Sequence, residues 1–103
     1  MNLVQFSEML VSSGFPVAHH SFTKKQSLPY VIYLTPSQDN FGADNKVYHK
    51  VQNIYVELYS EKKDTTSEGV LEDIFDENDL FYEKSETHIE SEKMYMVVYE
   101  IQI

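Results

Sequence analysis

The chain has 103 residues, a formal net charge of −9, eight lysines, no arginine and no cysteine. That length predicts one domain burying about 60–68% of its unfolded surface. The missing cysteine excludes disulfides, thiolate zinc sites and cysteine nucleophiles, and the missing arginine with the negative charge argues against nucleic-acid binding by a single copy. No segment approaches the roughly 20 apolar residues of a membrane span, and the start lacks a signal-peptide pattern, so a soluble, unexported chain is expected.

The first predicted element is a helix over residues 2–13, with Leu3, Phe6, Met9 and Leu10 forming an apolar stripe. Asn2 can cap its start. Gly14 suits the left-handed position past its end, where Phe15 folds back and Pro16 blocks continuation. Residues 17–27 carry no clear period and are expected to be irregular. A first strand over residues 30–34 is bracketed by Pro29 and Pro36, which cannot donate to a ladder and favour a strand end or edge. A loop over residues 40–46, containing Phe41, Gly42, Asp44 and Lys46, joins it to a long second strand over residues 46–59. There Ile54, Val56 and Leu58 are expected to face the core, and Tyr55, Glu57 and Tyr59 to be half exposed.

A second helix should start at Asp64 or Thr65, with Thr65 and Glu68 as a capping box and Val70, Leu71, Ile74 and Phe75 at helical spacing. Its acidic side holds Glu68, Glu72, Asp73 and Asp76. Acids in the last turn oppose the helix dipole, so termination near Asn78 is expected. The remainder predicts a hairpin, with residues 82–89 going out, 90–93 turning and 94–103 returning. In the returning strand Tyr95, Val97, Tyr99, Ile101 and Ile103 share one face. Met94, Met96, Val98, Glu100 and Gln102 share the other, so apolar residues on both faces suggest a central strand. The order α-β-β-α-β-β predicts an α+β fold: a mainly antiparallel four-stranded sheet with both helices on one face.

Charge is segregated. Residues 61–92 hold twelve acids against Lys62, Lys63 and Lys84, which accounts for the whole net charge. Candidate chemistry has a plainer explanation in each case. His19 and His20 are adjacent and would point opposite ways in extended chain, and with His49 and His88 they form no helical metal pair. The acids after Asp73 fail the calcium-loop spacing, with Phe81 at the glycine position and Thr87 at the bidentate position. Glu57, Glu83, Glu86 and Glu100 are not paired by spacing, the glycines are isolated, and Ser7, Ser12 and Ser13 lack a nucleophile context. Neither a catalytic residue nor a cofactor or metal site is expected. The strand tyrosines read as packing or interface residues.

Several segments together carry a resemblance. Leu28-Pro29-Tyr30, Tyr33-Leu34, the run from Asn40 through Tyr48, Val56-Glu57-Leu58-Tyr59 and Lys63-Asp64 resemble the small tail terminator or head-tail joining proteins of long-tailed phages and prophages of Gram-positive bacteria. Lys84-Ser85-Glu86, the run from Ile89 through Tyr95, and Val98-Tyr99-Glu100 are similar in order and spacing.

The resemblance implies a non-enzymatic ring, usually of six subunits, that caps the tail tube, ends its growth and joins tail to head. Its partners would be further copies of itself, the tail tube protein and the head-completion protein, with DNA passing through the lumen without sequence-specific binding. It would reside in the virion tail or neck, and in the bacterial cytoplasm during assembly. Phe41, Asp44, Asn45, Lys46 and Tyr48 would then lie in a subunit contact, with Phe41 packing on a neighbour and Asp44 and Lys46 pairing across it. Glu68, Glu72, Asp73 and Asp76 would line or rim the channel, where repulsion keeps phosphate from sticking. The alternative is an acidic DNA mimic that inhibits a basic host protein.

Overall fold

A computed structural model describes the backbone of residues 1–43 and 46–103, and the side chains of residues 1–39 and 50–103. Helix α1 (Leu3–Val11) starts at an Asn2 capping box: Gln5 N–H donates to Asn2 Oδ1 at 2.8 Å and Asn2 N–H to Gln5 Oε1 at 2.9 Å. Gly14, at φ +88°, turns the chain after the helix. Phe6, Met9 and Leu10 are buried as the stripe requires, while Leu3 is 37% exposed.

Strand β1 (Val17–His19) lies where irregular chain was expected and pairs in parallel with Val31, Ile32 and Tyr33. Flanking bonds lengthen this short junction, from Val31 N–H to Pro16 O at 2.8 Å and His20 N–H to Tyr33 O at 2.9 Å. Strand β2 (Tyr30–Ala43) then runs far beyond the predicted end at Leu34. Pro36 interrupts nothing, because it falls at a register shift between Leu34 and Ser37 and beyond the part of β2 that β1 covers.

Strand β3 (Lys46–Ser60) returns antiparallel, with Phe41 opposite His49, Gly42 opposite Val47 and Ala43 opposite Lys46. The expected loop over residues 40–46 is thus mostly ladder, with the shift at Phe41/Gly42 absorbed where glycine best tolerates a bulge. Asp44 and Asn45 lie outside the described residues.

Helix α2 (Thr65–Glu77) is capped by Asp64, whose carboxylate accepts from Ser67 N–H at 3.0 Å and Ser67 Oγ at 2.7 Å. This replaces the Thr65–Glu68 box. Asn78 closes the helix by donating from Nδ2 to Ile74 O at 2.8 Å. Strand β4 (Tyr82–Ile89), a 3₁₀ turn (Glu90–Glu92) with Lys93 left-handed at φ 52°, and strand β5 (Met94–Gln102) complete the expected hairpin.

The fold is α+β, with a five-stranded mixed sheet in the order β1-β2-β3-β5-β4 rather than four antiparallel strands. The register puts Val31, Ile54, Val56, Leu58, Val97, Tyr99 and Ile101 on one face. They bury against Phe6, Met9 and Leu10 of α1 and Leu71 and Phe75 of α2, so both helices cover that face. Phe75 meets Tyr99 edge-on at 5.3 Å. The β5 strand is interior, as its two apolar faces required.

Candidate assembly surfaces

Three features follow from this arrangement: a projecting ribbon, an uncovered sheet face and a polar seam. The ribbon exists because β2 and β3 outrun the rest of the sheet. β5 last meets β3 at Asn53–Gln102, followed by reciprocal backbone bonds between Gln52 and Ile103 at 2.9 and 3.0 Å. Beyond that point, among the described residues, β2 and β3 pair only with each other, and the molecule extends 50 Å against 29 and 24 Å in its other directions.

An amide cluster braces the ribbon base. Asn53 Nδ2 donates to Ser37 Oγ at 2.9 Å and Asp39 Oδ2 at 3.1 Å, Gln102 Nε2 to Asn53 Oδ1 at 2.8 Å, and Gln52 Nε2 to Ser37 O at 2.7 Å. Phe41, Lys46 and Tyr48 sit on the ribbon strands, although their side chains lie outside the described residues. Asp44 and Asn45 belong wholly to that undescribed part.

The second face of the sheet carries Ile32, Leu34, Tyr55, Met96 and Val98 without a helix over it. Tyr59 Oη donates to Glu57 Oε1 at 3.0 Å and its ring stacks on Tyr30 at 5.1 Å. Burial, then the Glu57 charge, pushes the Tyr59 hydroxyl up. Phe22, in the connection from β1 to β2, packs edge-on against Tyr30 at 5.4 Å and covers one corner. Tyr55 is 37% exposed, matching the half-exposed reading of its row.

The polar seam joins α2 to β4. Alternation places Tyr82, Lys84, Glu86 and His88 on the helix-bearing side of β4, a row that needs polar partners. Glu68 Oε1 accepts Lys63 Nζ at 3.0 Å and Lys84 Nζ at 2.7 Å, while Lys63 also meets Glu86 at 2.6 Å. Glu72 Oε2 accepts Lys84 at 2.8 Å and Tyr99 Oη at 2.8 Å, and its Oε1 accepts Tyr82 Oη at 3.1 Å.

Glu68 is therefore 3% exposed rather than part of an open acidic surface, and Glu72 is held in the same seam. Asp73 and Asp76 remain exposed on α2. The Glu68 Oε2 atom is buried without a hydrogen-bond partner among the described residues.

Neither a scan of protein-family models nor a search of curated proteins finds a match for this chain. The histidines are spread out: His19 stacks on Tyr33 at 4.8 Å with Nε2 3.1 Å from Thr35 Oγ1, while His88 lies 5.0 Å from Tyr95. His49 lies outside the described side chains. Among the described residues no group of three or more His, Cys, Asp or Glu is placed to hold a metal, and no helix is long and apolar enough to cross a membrane. Sequence reasoning missed Lys63 and Lys84 as the seam's cations. The available signal was Lys84 at a core-facing position directly opposite Tyr99.

Burial alone would raise the Glu72 carboxyl, but hydrogen bonds from Lys84, Tyr99 and Tyr82 outweigh it and hold the group below its ordinary 4.5. A lowered folded pKa stabilises the fold above the unfolded value, and that contribution is lost as pH falls through the folded value. Urea midpoints should therefore fall as pH drops below about 4.5. Glu72→Gln should show a shallower fall over the same window. An unchanged slope would remove Glu72 from the account.

Proposed function

We propose that this chain is a structural subunit that closes with copies of itself into a six-membered ring at the end of a phage tail tube, stops tube growth and joins tail to head. The observation that carries the proposal is the β2–β3 ribbon, which leaves the body of the sheet with a braced base. A projecting two-stranded arm can reach an adjacent subunit while the body keeps its own core. The ribbon strands also carry Asn40–Ala43 and Lys46–Tyr48, the described parts of the run that resembles the terminator family.

Exposed edges favour the same reading. β4 borders the sheet on one side, and on the other β1 leaves most of β2 uncovered. Such edges invite pairing with another chain, and head-to-tail pairing between copies generates a closed ring when the rotation permits. The partners would be the tail tube protein on one side and the head-completion protein on the other, with DNA passing through the lumen. Asp73 and Asp76 are the exposed acids proposed for the rim, while Glu68 and Glu72 serve the seam. The ion pairing of Glu68, Glu72 and Glu86 also reduces the free acidic surface that a DNA-mimicking inhibitor would need.

Combining Phe41→Ala with Lys46→Glu tests the ribbon contact. Ring particles counted by electron microscopy and native mass spectrometry should fall sharply at matched concentration, with an unchanged far-UV circular dichroism spectrum. Undiminished ring yield would remove these residues from the contact.

A further inference from the structure

The uncovered sheet face has two ends of unlike charge. At one end, where β2 and β5 begin, Lys24 and Lys25 share a recess of about 640 Å³ with Tyr30, Ile32, Met94 and a single acid, Glu92. At the other, Glu83 and Glu100 line a recess of about 610 Å³ together with Asp79, Tyr55 and Phe81. Glu83 and Glu100 are register partners on adjacent strands, where opposed like charges are unfavourable. Among the described residues, Lys24, Lys25, Glu83 and Glu100 have no ion-pair partner.

The separation is set by β5. Met94 lies at the lysine end and Glu100 at the acidic end, six residues apart, or about 20 Å along the strand. Leu34, Met96 and Val98 lie between the two ends, together with Glu57, which sits between Ile32 and Val98 in the register and accepts Tyr59 Oη at 3.0 Å. Phe81, 80% exposed, borders the acidic end, where an incoming ammonium would meet carboxylates and an aromatic ring together.

We propose that this face binds a second copy of the chain face to face, with Lys24 and Lys25 of one protomer against Glu83 and Glu100 of the other. A surface that meets its own copy does so about a two-fold axis. An axis lying between the sheets and across the strands reverses strand direction, which lays each lysine end over the partner's acidic end. The same operation stacks the Leu34, Met96 and Val98 patches of the two copies, in the manner of sheets that pack about 10 Å apart, with the Glu57 carboxylate of each copy held by its own Tyr59 hydroxyl. The pair uses the sheet face, whereas the ring uses the ribbon and the sheet edges, so either contact can fail without the other.

Sedimentation equilibrium on the full chain over a wide concentration range tests the pair. The wild type should show a face-to-face doubling step, from monomer to dimer or from ring to paired rings, that weakens as salt rises. Lys24→Glu with Lys25→Glu, and separately Glu83→Lys with Glu100→Lys, should each weaken self-association by at least about 100-fold, because each swap puts like charges across the contact. An equal mixture of the two variants should recover dimers of near wild-type strength, since both ends then meet opposite charge. That recovery also demonstrates that both variants fold.

A wild type that stays monomeric, swaps that leave the dimer unchanged, or a mixture that fails to recover it would each overturn the pairing. Six-subunit particles insensitive to the swaps would overturn it while leaving the ring reading standing. Tight binding of polylysine together with a monomeric wild type would assign the acidic end to a basic partner instead, and would overturn the proposal as well.

Discussion

Replacing Lys84 with methionine should lower the unfolding free energy by about 2–3 kcal/mol, whereas replacing Glu68 with methionine should cost less than about 1 kcal/mol. Lys84 bridges Glu68 and Glu72, and its ammonium also lies 5.9 Å from the centre of the Tyr99 ring. Burial would lower the Lys84 pKa, yet the hydrogen bonds that its ammonium donates to Glu68 and Glu72 raise it, so both carboxylates depend on this cation. Without it Glu72 keeps only the Tyr82 and Tyr99 hydroxyls, and Glu68 keeps only Lys63, among the described residues.

A fully buried pair broken from one side costs about 3–5 kcal/mol, and the 34% exposure of Lys84 places this case lower. Losing Glu68 has a different consequence. Lys84 retains Glu72 and Lys63 retains Glu86, while the unpartnered Oε2 disappears with the side chain. Urea unfolding of the two single variants, followed by circular dichroism, measures the asymmetry. Equal costs would show that the seam is not organised around Lys84.

Deleting the ribbon should abolish ring assembly and leave the body folded. Residues 40–50 can be replaced by Asn-Gly between Asp39 and Val51, the cross-strand pair next to Gln38–Gln52; the backbone groups of Gln52 bond to Ile103, so alternation makes Asp39–Val51 the pair that can close a two-residue hairpin turn. Among the described residues, none of the buried core cluster falls in the excised stretch. The β1–β2, β3–β5 and β4–β5 ladders lie outside it as well. Stability is therefore expected to change by about 1 kcal/mol or less, while native mass spectrometry shows loss of the ring. A shortened chain that still forms rings at wild-type yield would place the subunit contact elsewhere.

The elements that were readable from the sequence are those whose causes are local. Asn2 and Gly14 mark the ends of α1 by capping and by left-handed geometry, and the alternation from Tyr82 to Ile89 and from Met94 onward specifies the hairpin directly. The parts that were not readable depend on distant partners. β1 is three residues long and exists because Val31, Ile32 and Tyr33 offer it a parallel edge. The extension of β2 past Pro36 depends on an absent outer neighbour and a register shift, neither of which the local pattern records.

Glu68 illustrates the same limit at the level of a side chain. On the helix alone it belongs to an acidic stripe with Glu72, Asp73 and Asp76, and stripes of that kind normally face water. Here Lys84 occupies a core-facing position of β4, and it draws Glu68 and Glu72 inward while Asp73 and Asp76 stay outside. Composition established that acid is concentrated in this third of the chain. Which acids remain free was decided by one lysine on a neighbouring strand.

Electron microscopy of tail tubes polymerised with and without this protein tests the central claim most directly. The ring account predicts tubes of limited length, each bearing an added six-subunit ring at one end, and tubes that grow on without a cap when the ribbon-deleted chain is used. Tubes of unchanged length with bare ends in the presence of the intact chain would contradict it.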